Sequence, residues 1–257
     1  MVLHVNTWGD PGAPAIVCLH GVYAHGRRFR RLAEERLAAR FRVVAPDLRG
    51  HGRSDFEPPW DLDTHVADLL ETVPDGGDWI GHSFGGRLAL ELAAREPGLV
   101  RRLVLLDPAI WVPPPVALER AEADRVERAF ASPEEALESR IATARLAPRA
   151  ALEEEVAEHL LRSEDGRWRW RFLQAATVAA YGEMAKPPPD FGEIRSPTLL
   201  VRGAETDVVP EVLVDACREA WGGPLEVLTV PGGHVPLWDA FDETADAVER
   251  FLEDGRP

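Results

Sequence analysis

The sequence has few of the residues and patterns that mark disulfide-rich, metal-binding or nucleotide-binding proteins. Among 257 residues there are two cysteines, Cys18 in an apolar run and Cys217 in a helix-like run, which excludes a disulfide framework and predicts two buried thiols. No His-Glu-x-x-His or paired Cys/His spacing occurs, so we expect no metal site. There is no P-loop and no Gly-x-Gly-x-x-Gly after a strand, and we therefore expect no cofactor.

Long apolar runs and positive charge are also scarce. No uninterrupted apolar stretch approaches the length of a membrane span, and residues 1–8 lack the basic start and apolar run of a secretory signal. The 29 Lys and Arg against 44 Asp and Glu give a formal net charge of −15. Because nucleic acids and anionic membranes present phosphate, neither is expected as a partner. The sequence predicts a cytoplasmic protein and leaves the oligomeric state open.

The most informative stretch is residues 79–90, Trp-Ile-Gly-His-Ser-Phe-Gly-Gly-Arg-Leu-Ala-Leu. An apolar run precedes Ser83 and a helix-period run follows it, with Gly81 and Gly85 two residues to either side. Glycines at this spacing are typical of a strand-to-helix turn so tight that a side chain would collide. The serine is then strained, with its hydroxyl exposed above the end of a sheet. A glycine-rich turn with an incidental serine would have the same motif. The interpretation of Ser83 as a nucleophile therefore depends on a base and an acid elsewhere in the sequence.

Two later positions supply those partners. A serine hydroxyl needs a base, and the base needs an orienting acid. Asp207 ends the loop after the apolar run at 198–203, and His234 ends the Pro-Gly-Gly-His turn after the run at 225–230. The order Ser, Asp, His fits this kind of turn. Since both residues follow consecutive strands, we expect them on the sheet edge where Ser83 lies.

Taken together, these stretches resemble α/β-hydrolase-fold serine hydrolases, an esterase/lipase-like superfamily with cap-containing members. The resemblance covers nearly the whole chain and implies an α/β fold with a mostly parallel central sheet flanked by helices. It is specific for the fold and for a Ser83, His234 and Asp207 triad, but for no substrate. The matching stretches are Leu19-His20-Gly21, Asp47-Leu-Arg-Gly-His-Gly-Arg-Ser54, Gly81-His-Ser-Phe-Gly85, Leu199-Leu-Val-Arg-Gly-Ala-Glu-Thr-Asp207 and Gly232-Gly-His234.

The resemblance also assigns the groups around the serine. It places the oxyanion-hole donors at the backbone N–H groups of Val22 and Phe84. Some relatives carry the triad acid after an earlier strand, which makes Asp107 the rival of Asp207. We favour Asp207 because its loop matches the commoner arrangement. His20 and His51 are interpreted as structural turn residues.

Between residues 111 and 189 the alternation of strands and helices stops. Proline triplets open and close this segment, and its interior has helical spacing. Because proline triplets resist helix formation, they mark boundaries. We predict a mainly helical cap at 111–189, inserted after the sixth strand of a hydrolase core formed by 1–110 and 190–257. Such lids usually select the substrate.

Four side chains are candidate substrate contacts. Trp168 and Trp170 lie in a period-two stretch of the cap, where packing against the core is the favoured alternative for each. Arg87 lies one helical turn past Ser83, where a menaquinone-pathway synthase of this fold, which the sequence resembles here, uses an arginine on an anionic substrate. A surface salt bridge is favoured for Arg87. Trp238 completes the set.

The leading hypothesis is a cofactor-free serine hydrolase acting on a small carboxylic ester, lactone or related acyl substrate. The first alternative keeps the triad and uses it for C–C bond hydrolysis or a synthase-like lyase step. The second is a non-catalytic ligand receptor, since some members of this fold bind ligands without turnover. Serine at the turn disfavours the epoxide hydrolase and haloalkane dehalogenase relatives, which use aspartate there.

Overall fold

The computed structural model describes residues 1–144 and 147–253. Seven strands of this part form one sheet and two more form a separate hairpin. The strands are β1 (Val5–Trp8), β2 (Ala15–Leu19), β3 (Arg42–Pro46), β4 (Gly77–His82), β5 (Val100–Leu106), β6 (Leu160–Arg162), β7 (Trp168–Trp170), β8 (Thr198–Gly203) and β9 (Leu225–Val230). The sheet order is β1-β3-β2-β4-β5-β8-β9, with β1 antiparallel to β3 and the other pairs parallel.

Helices cover both faces of this sheet. Between β2 and β3 the chain forms a 3₁₀ turn, a short α-helix and a π-helix, which are Gly26–Phe29, α1 (Arg30–Leu32) and Ala33–Leu37. The other α-helices of the described residues are α2 (Leu62–Thr72), α3 (Phe84–Arg95), α4 (Pro114–Asp124), α5 (Pro133–Thr143), α6 (Arg149–His159), α7 (Gln174–Met184), α8 (Glu211–Ala220), α9 (Pro236–Asp239) and α10 (Phe241–Glu253). None of these helices is long and apolar enough to cross a membrane.

The apolar runs fold as central strands because both of their faces are covered. In β2, Val17 and Leu19 join one buried cluster with α2 and α3, whereas Ile16 and Cys18 join the cluster on the opposite face with α10. Successive side chains of a strand point to opposite faces, so an uninterrupted apolar strand belongs between two helical layers. This arrangement confirms the predicted α/β-hydrolase fold with a mostly parallel sheet.

Between β5 and β8 the chain leaves the sheet. Residues 111–189, here called the insertion segment, contain α4 to α7 and the β6–β7 hairpin, within the described residues. The segment follows the fifth strand of the chain, and the predicted position after a sixth strand was therefore wrong in its count. Three salt bridges connect α6 to the turns before β3: Arg27 to Glu158, Arg28 to Glu155 and Arg30 to Glu154. That the segment is a separate cap domain stays a prediction.

Candidate functional site

Ser83 lies at the tightest turn of the sheet edge. It follows the last residue of β4, and α3 begins at the next residue. Its φ of 54° lies in the left-handed region, which a serine occupies only when the surrounding structure enforces it. The flanking glycines explain how the turn fits: a Cβ on Gly81 would lie 2.5 Å from the Gly85 carbonyl oxygen, and one on Gly85 would lie 2.2 Å from that of Leu19. Any larger residue at either position would push the turn apart.

The imidazole of His234 lies between a serine hydroxyl and an aspartate carboxylate. His234 follows β9, and its Nε2 atom lies 2.9 Å from Ser83 Oγ while its Nδ1 atom lies 2.6 Å from Asp107 Oδ2. An ionised carboxylate only accepts hydrogen bonds, so Nδ1 carries the proton and Nε2 is free to accept the serine proton. Ser83, His234 and Asp107 therefore form a chain of hydroxyl, imidazole and carboxylate. We call these three residues the Ser–His–Asp cluster.

The acid of this cluster is Asp107, and the preference for Asp207 was wrong. Asp107 directly follows β5, the strand next to β4, so its carboxylate lies beside Ser83 at the same sheet edge. Its φ of 43° turns the side chain back toward the neighbouring strands. Asp207 lies further along the loop after β8 and is exposed to solvent. Among the described residues, no hydrogen-bond donor contacts the Asp207 carboxylate.

Strain and burial both distinguish Asp107. Within residues 1–144 and 147–253, Ser83 and Asp107 are the two non-glycine residues with positive φ. Such strain of about 1–3 kcal/mol per residue is concentrated at functional sites. Asp107 is 0% exposed, and a buried carboxylate must be hydrogen-bonded. The Gly203 N–H donates to Oδ1 at 3.2 Å and the Thr206 hydroxyl to Oδ2 at 2.7 Å.

The turn after β2 presents a backbone N–H beside Ser83. His20 Nε2 accepts the Leu48 N–H at 2.9 Å, so its Nδ1–H donates to the Gly21 carbonyl oxygen at 2.8 Å. Burial holds the pKa of His20 well below its ordinary value, which keeps this single-proton arrangement. In a trans peptide the N–H points opposite to the C=O. His20 therefore fixes the direction of the next donor, the N–H of Val22.

Glycine at position 21 lets this turn approach the serine closely. A Cβ there would lie 3.4 Å from Ser83 Oγ. In the described part of the chain, neither the Val22 N–H nor the Phe84 N–H donates to another protein group. Phe84 is the first residue of α3, where N–H groups lack intrahelical acceptors and carry partial positive charge. Within the described residues, both predicted oxyanion donors are thus free of protein acceptors.

His51 and His82 brace the same region without touching the serine hydroxyl. His51 is buried, with Nε2 lying 2.7 Å from the Val22 carbonyl oxygen and Nδ1 lying 3.0 Å from that of Arg49. His82 Nε2 lies 2.8 Å from the His234 carbonyl oxygen. Burial, reinforced by the neighbouring His234, holds the pKa of His82 well below its ordinary value. A neutral His82 that donates from Nε2 fixes the backbone of the His234 turn.

Arg87 is buried, and protein groups hold its guanidinium. Its side chain is 0% exposed, and its guanidinium pairs with Glu91 Oε1 at 2.9 Å. It also donates to the carbonyl oxygens of Ile110, Lys186 and Pro187. These carbonyls lie at or beside the two ends of the insertion segment. The favoured salt bridge is present, but it is buried rather than on the surface. Arg87 is a buried clamp that joins the segment's ends to α3, which leaves no open side of the guanidinium for the predicted substrate contact.

The three tryptophans lie in two different places. Trp168 and Trp170 pack inside the insertion segment against Phe130, Ala136 and Leu160, and not against the hydrolase core as the favoured alternative expected. Their contact with a substrate stays a prediction. Trp238 lies under the Arg28 guanidinium, 4.4 Å from the ring centroid. It lines a cavity of about 220 Å³ that Leu237, Phe241 and Glu155 also line, and Ser83 is not among the lining residues. Contact of Trp238 with a substrate stays a prediction.

In residues 1–144 and 147–253 no group of three or more His, Cys, Asp or Glu side chains is arranged to hold a metal ion.

Comparison with known proteins identifies the family. The model of the alpha/beta hydrolase family matches residues 16–247. The chain belongs to this family. The match includes Ser83, Asp107 and His234, together with both turns that present the free N–H groups.

The similarity to two known proteins extends over nearly the full length of both chains. Lipase LipV of Mycobacterium tuberculosis is 35% identical over 249 residues, which is 91% of each chain. The pimeloyl-[acyl-carrier protein] methyl ester esterase of Xanthomonas campestris pv. campestris is 31% identical over 267 residues, covering 97% of this chain and 98% of the esterase. Among solved structures, E-2-(acetamidomethylene)succinate hydrolase is similar with a TM-score of 0.84 and 24% identity, over 98% of this chain and 95% of the other. That structural likeness supports the fold.

Proposed function

We propose that this α/β hydrolase is a serine esterase that cleaves a small carboxylic ester, lactone or related acyl substrate through an acyl-enzyme. The observation that carries the proposal is the hydrogen-bonded chain from Ser83 Oγ to His234 to Asp107. The names of the two long relatives, a lipase and a methyl ester esterase, support ester hydrolysis as the reaction class. No step of the mechanism requires a metal or cofactor.

The first half of the mechanism forms a covalent bond to Ser83. His234 Nε2 removes the hydroxyl proton as Ser83 Oγ attacks the substrate carbonyl carbon. The carbonyl oxygen becomes an oxyanion, which the Val22 and Phe84 N–H groups stabilise. Asp107 holds the imidazole ring and stabilises the imidazolium that forms. The ester bond then breaks, and His234 returns the proton to the departing alkoxide, leaving an acyl-serine and a free alcohol.

The second half reverses the roles of serine and water. His234 Nε2 removes a proton from water as the water oxygen attacks the acyl carbon. The same two N–H groups hold the second oxyanion. When that intermediate collapses, the bond to Ser83 Oγ breaks and His234 returns the proton to the serine. The carboxylic acid leaves, and the enzyme is restored without any net change in its protonation.

The insertion segment is proposed as the part that selects the substrate. Its backbone reaches the turns near the site: the Leu173 N–H donates to the Gly50 carbonyl oxygen at 2.9 Å, and Phe172 forms a backbone bridge with His51. His51 in turn contacts the Val22 carbonyl. A substrate held by this segment therefore lies close to the proposed oxyanion hole. Cytoplasmic location and a small-molecule acyl partner remain predictions.

The synthase-like alternative loses the observation that favoured it. It depended on Arg87 meeting an anionic substrate, and Arg87 is instead saturated by Glu91 and three backbone carbonyls. C–C bond hydrolysis by the same cluster and ligand binding without turnover have no separate support from a residue of this structure. Ester hydrolysis is the reaction that the geometry supports best.

A panel of p-nitrophenyl esters from acetate to decanoate tests the proposal. Wild type is expected to hydrolyse the shorter esters with a burst of p-nitrophenol, because acyl-enzyme formation precedes its hydrolysis. Ser83→Ala is expected to lose turnover and labelling by a fluorophosphonate probe together. Wild-type protein that is folded, unlabelled by the probe and inactive on every ester would contradict the proposal. Turnover that persists in Ser83→Ala would contradict the nucleophile.

A further inference from the structure

The loop after β8 contributes a side chain to the Ser–His–Asp cluster through Thr206 rather than Asp207. Thr206 Oγ1 lies 2.7 Å from Asp107 Oδ2. Asp107 Oδ2 also lies 2.6 Å from His234 Nδ1. The Thr206 hydroxyl is therefore a direct neighbour of the hydrogen bond that orients the imidazole. Nothing in the order Ser, Asp, His along the sequence points to Thr206, because threonine has no proton-transfer role near neutral pH.

We propose that Thr206 is a positioning residue for this cluster, which rests on the esterase function proposed above. Its action is to hold the Asp107 carboxylate in the rotation that presents Oδ2 to His234. It touches neither the substrate nor Ser83, so its effect passes entirely through Asp107 and the imidazole.

The direction of the Thr206 hydroxyl hydrogen is determined by its neighbours. Thr206 Oγ1 accepts the Val208 N–H at 3.1 Å, which occupies a lone pair of the hydroxyl. An ionised Asp107 carboxylate accepts hydrogen bonds and cannot donate one. The single hydroxyl hydrogen therefore points at Asp107 Oδ2, and the loop after β8 is bonded to the acid at two points, Gly203 and Thr206.

Three donors together fix the carboxylate. The Gly203 N–H holds Oδ1, while Thr206 and His234 share Oδ2. Rotation about the Cβ–Cγ bond of an aspartate has a broad, weakly restrained profile, so the ring orientation of His234 depends on these neighbours. Asp107 is 0% exposed, and water has no direct access to replace a donor that is removed. Loss of the Thr206 hydroxyl should therefore loosen the acid without unfolding its surroundings.

The test compares Thr206→Val, which keeps the shape and removes the hydroxyl, with Thr206→Ser, which keeps the hydroxyl. Thr198→Val is the matched control: Thr198 is buried at the start of β8, the strand that leads into the Thr206 loop, and its hydroxyl donates to the Ser196 carbonyl oxygen at 2.9 Å. We expect Thr206→Val to lower kcat about tenfold, which corresponds to about 1.4 kcal/mol in the barrier, with KM unchanged. Thr206→Ser and Thr198→Val should stay within about threefold of wild type, well under 1 kcal/mol.

A double-mutant cycle separates positioning from a general structural effect. In an Asp107→Ala background the carboxylate is absent, so Thr206→Val should change kcat less than about twofold if the two residues act as a unit. An undiminished tenfold effect in that background would overturn the proposal. So would wild-type kcat in Thr206→Val itself.

A spectroscopic readout keeps the inference independent of the substrate. The Nδ1 proton of an imidazole bonded to a buried carboxylate gives a far-downfield proton resonance, which Asp107→Ala should abolish. We expect that resonance to move or broaden in Thr206→Val and to persist in Thr206→Ser. If no ester is hydrolysed but this pattern holds, the esterase proposal fails and the role of Thr206 stands. An unchanged resonance in Thr206→Val overturns the role of Thr206 whatever the enzyme hydrolyses.

Discussion

The imidazole rings of His25 and His159 stack on each other with centroids 4.2 Å apart and an interplanar angle of 14°. His25 belongs to the turn after β2, and His159 is the last residue of α6 in the insertion segment. Neither ring nitrogen of His159 has a hydrogen-bond partner within the described residues. The stack therefore joins the insertion segment to the core through two uncharged rings, next to the half-buried Arg28 and Arg140, which both pair with the buried Glu155.

This stack predicts acid sensitivity of the folded state. Burial lowers the pKa of His25 to about 4, against an opposing effect of Glu155. Burial, then His25 and Arg28, hold the pKa of His159 well below its ordinary value. Because both folded pKa values lie below the unfolded value of about 6.5, the unfolded chain binds more protons on acidification. The stability that these neutral rings contribute is complete above about pH 6.5 and is lost as the pH falls toward 4, by up to about 1.4 kcal/mol per histidine per pH unit.

His159→Phe tests that prediction. It retains an aromatic ring against His25, Trp170 and Phe172 and removes two unpartnered buried nitrogens, so the free energy of unfolding near pH 7 should be equal or higher. Between about pH 6.5 and 4.5 the variant should lose less stability than wild type, by on the order of 1 kcal/mol per pH unit. Urea unfolding followed by tryptophan fluorescence measures the free energy of unfolding near pH 7 and its change with pH. Identical pH slopes in the two proteins would contradict the role of His159.

Asp107→Asn and Asp207→Asn distinguish the two candidate acids. Asp107→Asn should lower kcat by on the order of 10⁴-fold, because an amide donor facing His234 Nδ1 favours the wrong tautomer. Asp207→Asn should retain wild-type activity, since the exposed Asp207 carboxylate meets no donor in the described residues. Burst kinetics with a p-nitrophenyl ester report both variants. Loss of activity in Asp207→Asn alone would reverse the assignment.

The sequence was sufficient to predict the sheet, the Ser83 turn and its contact with His234, because apolar runs and glycine spacing are local properties. It was insufficient to choose between Asp107 and Asp207. Both follow buried strands of one sheet edge, and the choice depends on backbone direction: Asp107 turns back with a φ of 43°. Arg87 was misjudged for a related reason. The carbonyls that it binds, from Ile110 to Pro187, come from distant stretches that meet only after folding.

The Arg87 clamp predicts a large stability effect with little effect on catalysis. Arg87→Met leaves three carbonyls and part of the Glu91 charge unpaired in a buried place, and should lower the free energy of unfolding by about 3–5 kcal/mol. Arg95→Met is the control. Arg95 pairs with the same Glu91 at 2.7 Å but is 39% exposed, so its loss should change stability by less than about 1 kcal/mol. Thermal unfolding compares the two, and equal losses would contradict the clamp.

The last prediction concerns the backbone turn that His20 orients. His20→Leu removes the acceptor of the Leu48 N–H and the donor to the Gly21 carbonyl, so the Gly21–Val22 peptide is free to rotate and the Val22 N–H no longer faces the oxyanion. Removal of one such donor typically lowers kcat by about 10²–10³. The signature is selective: affinity for a boronic acid, which forms a tetrahedral adduct with Ser83, should fall in proportion to kcat, whereas affinity for the planar carboxylate product should not. Parallel losses of both affinities would mean that His20 shapes the pocket rather than the oxyanion hole.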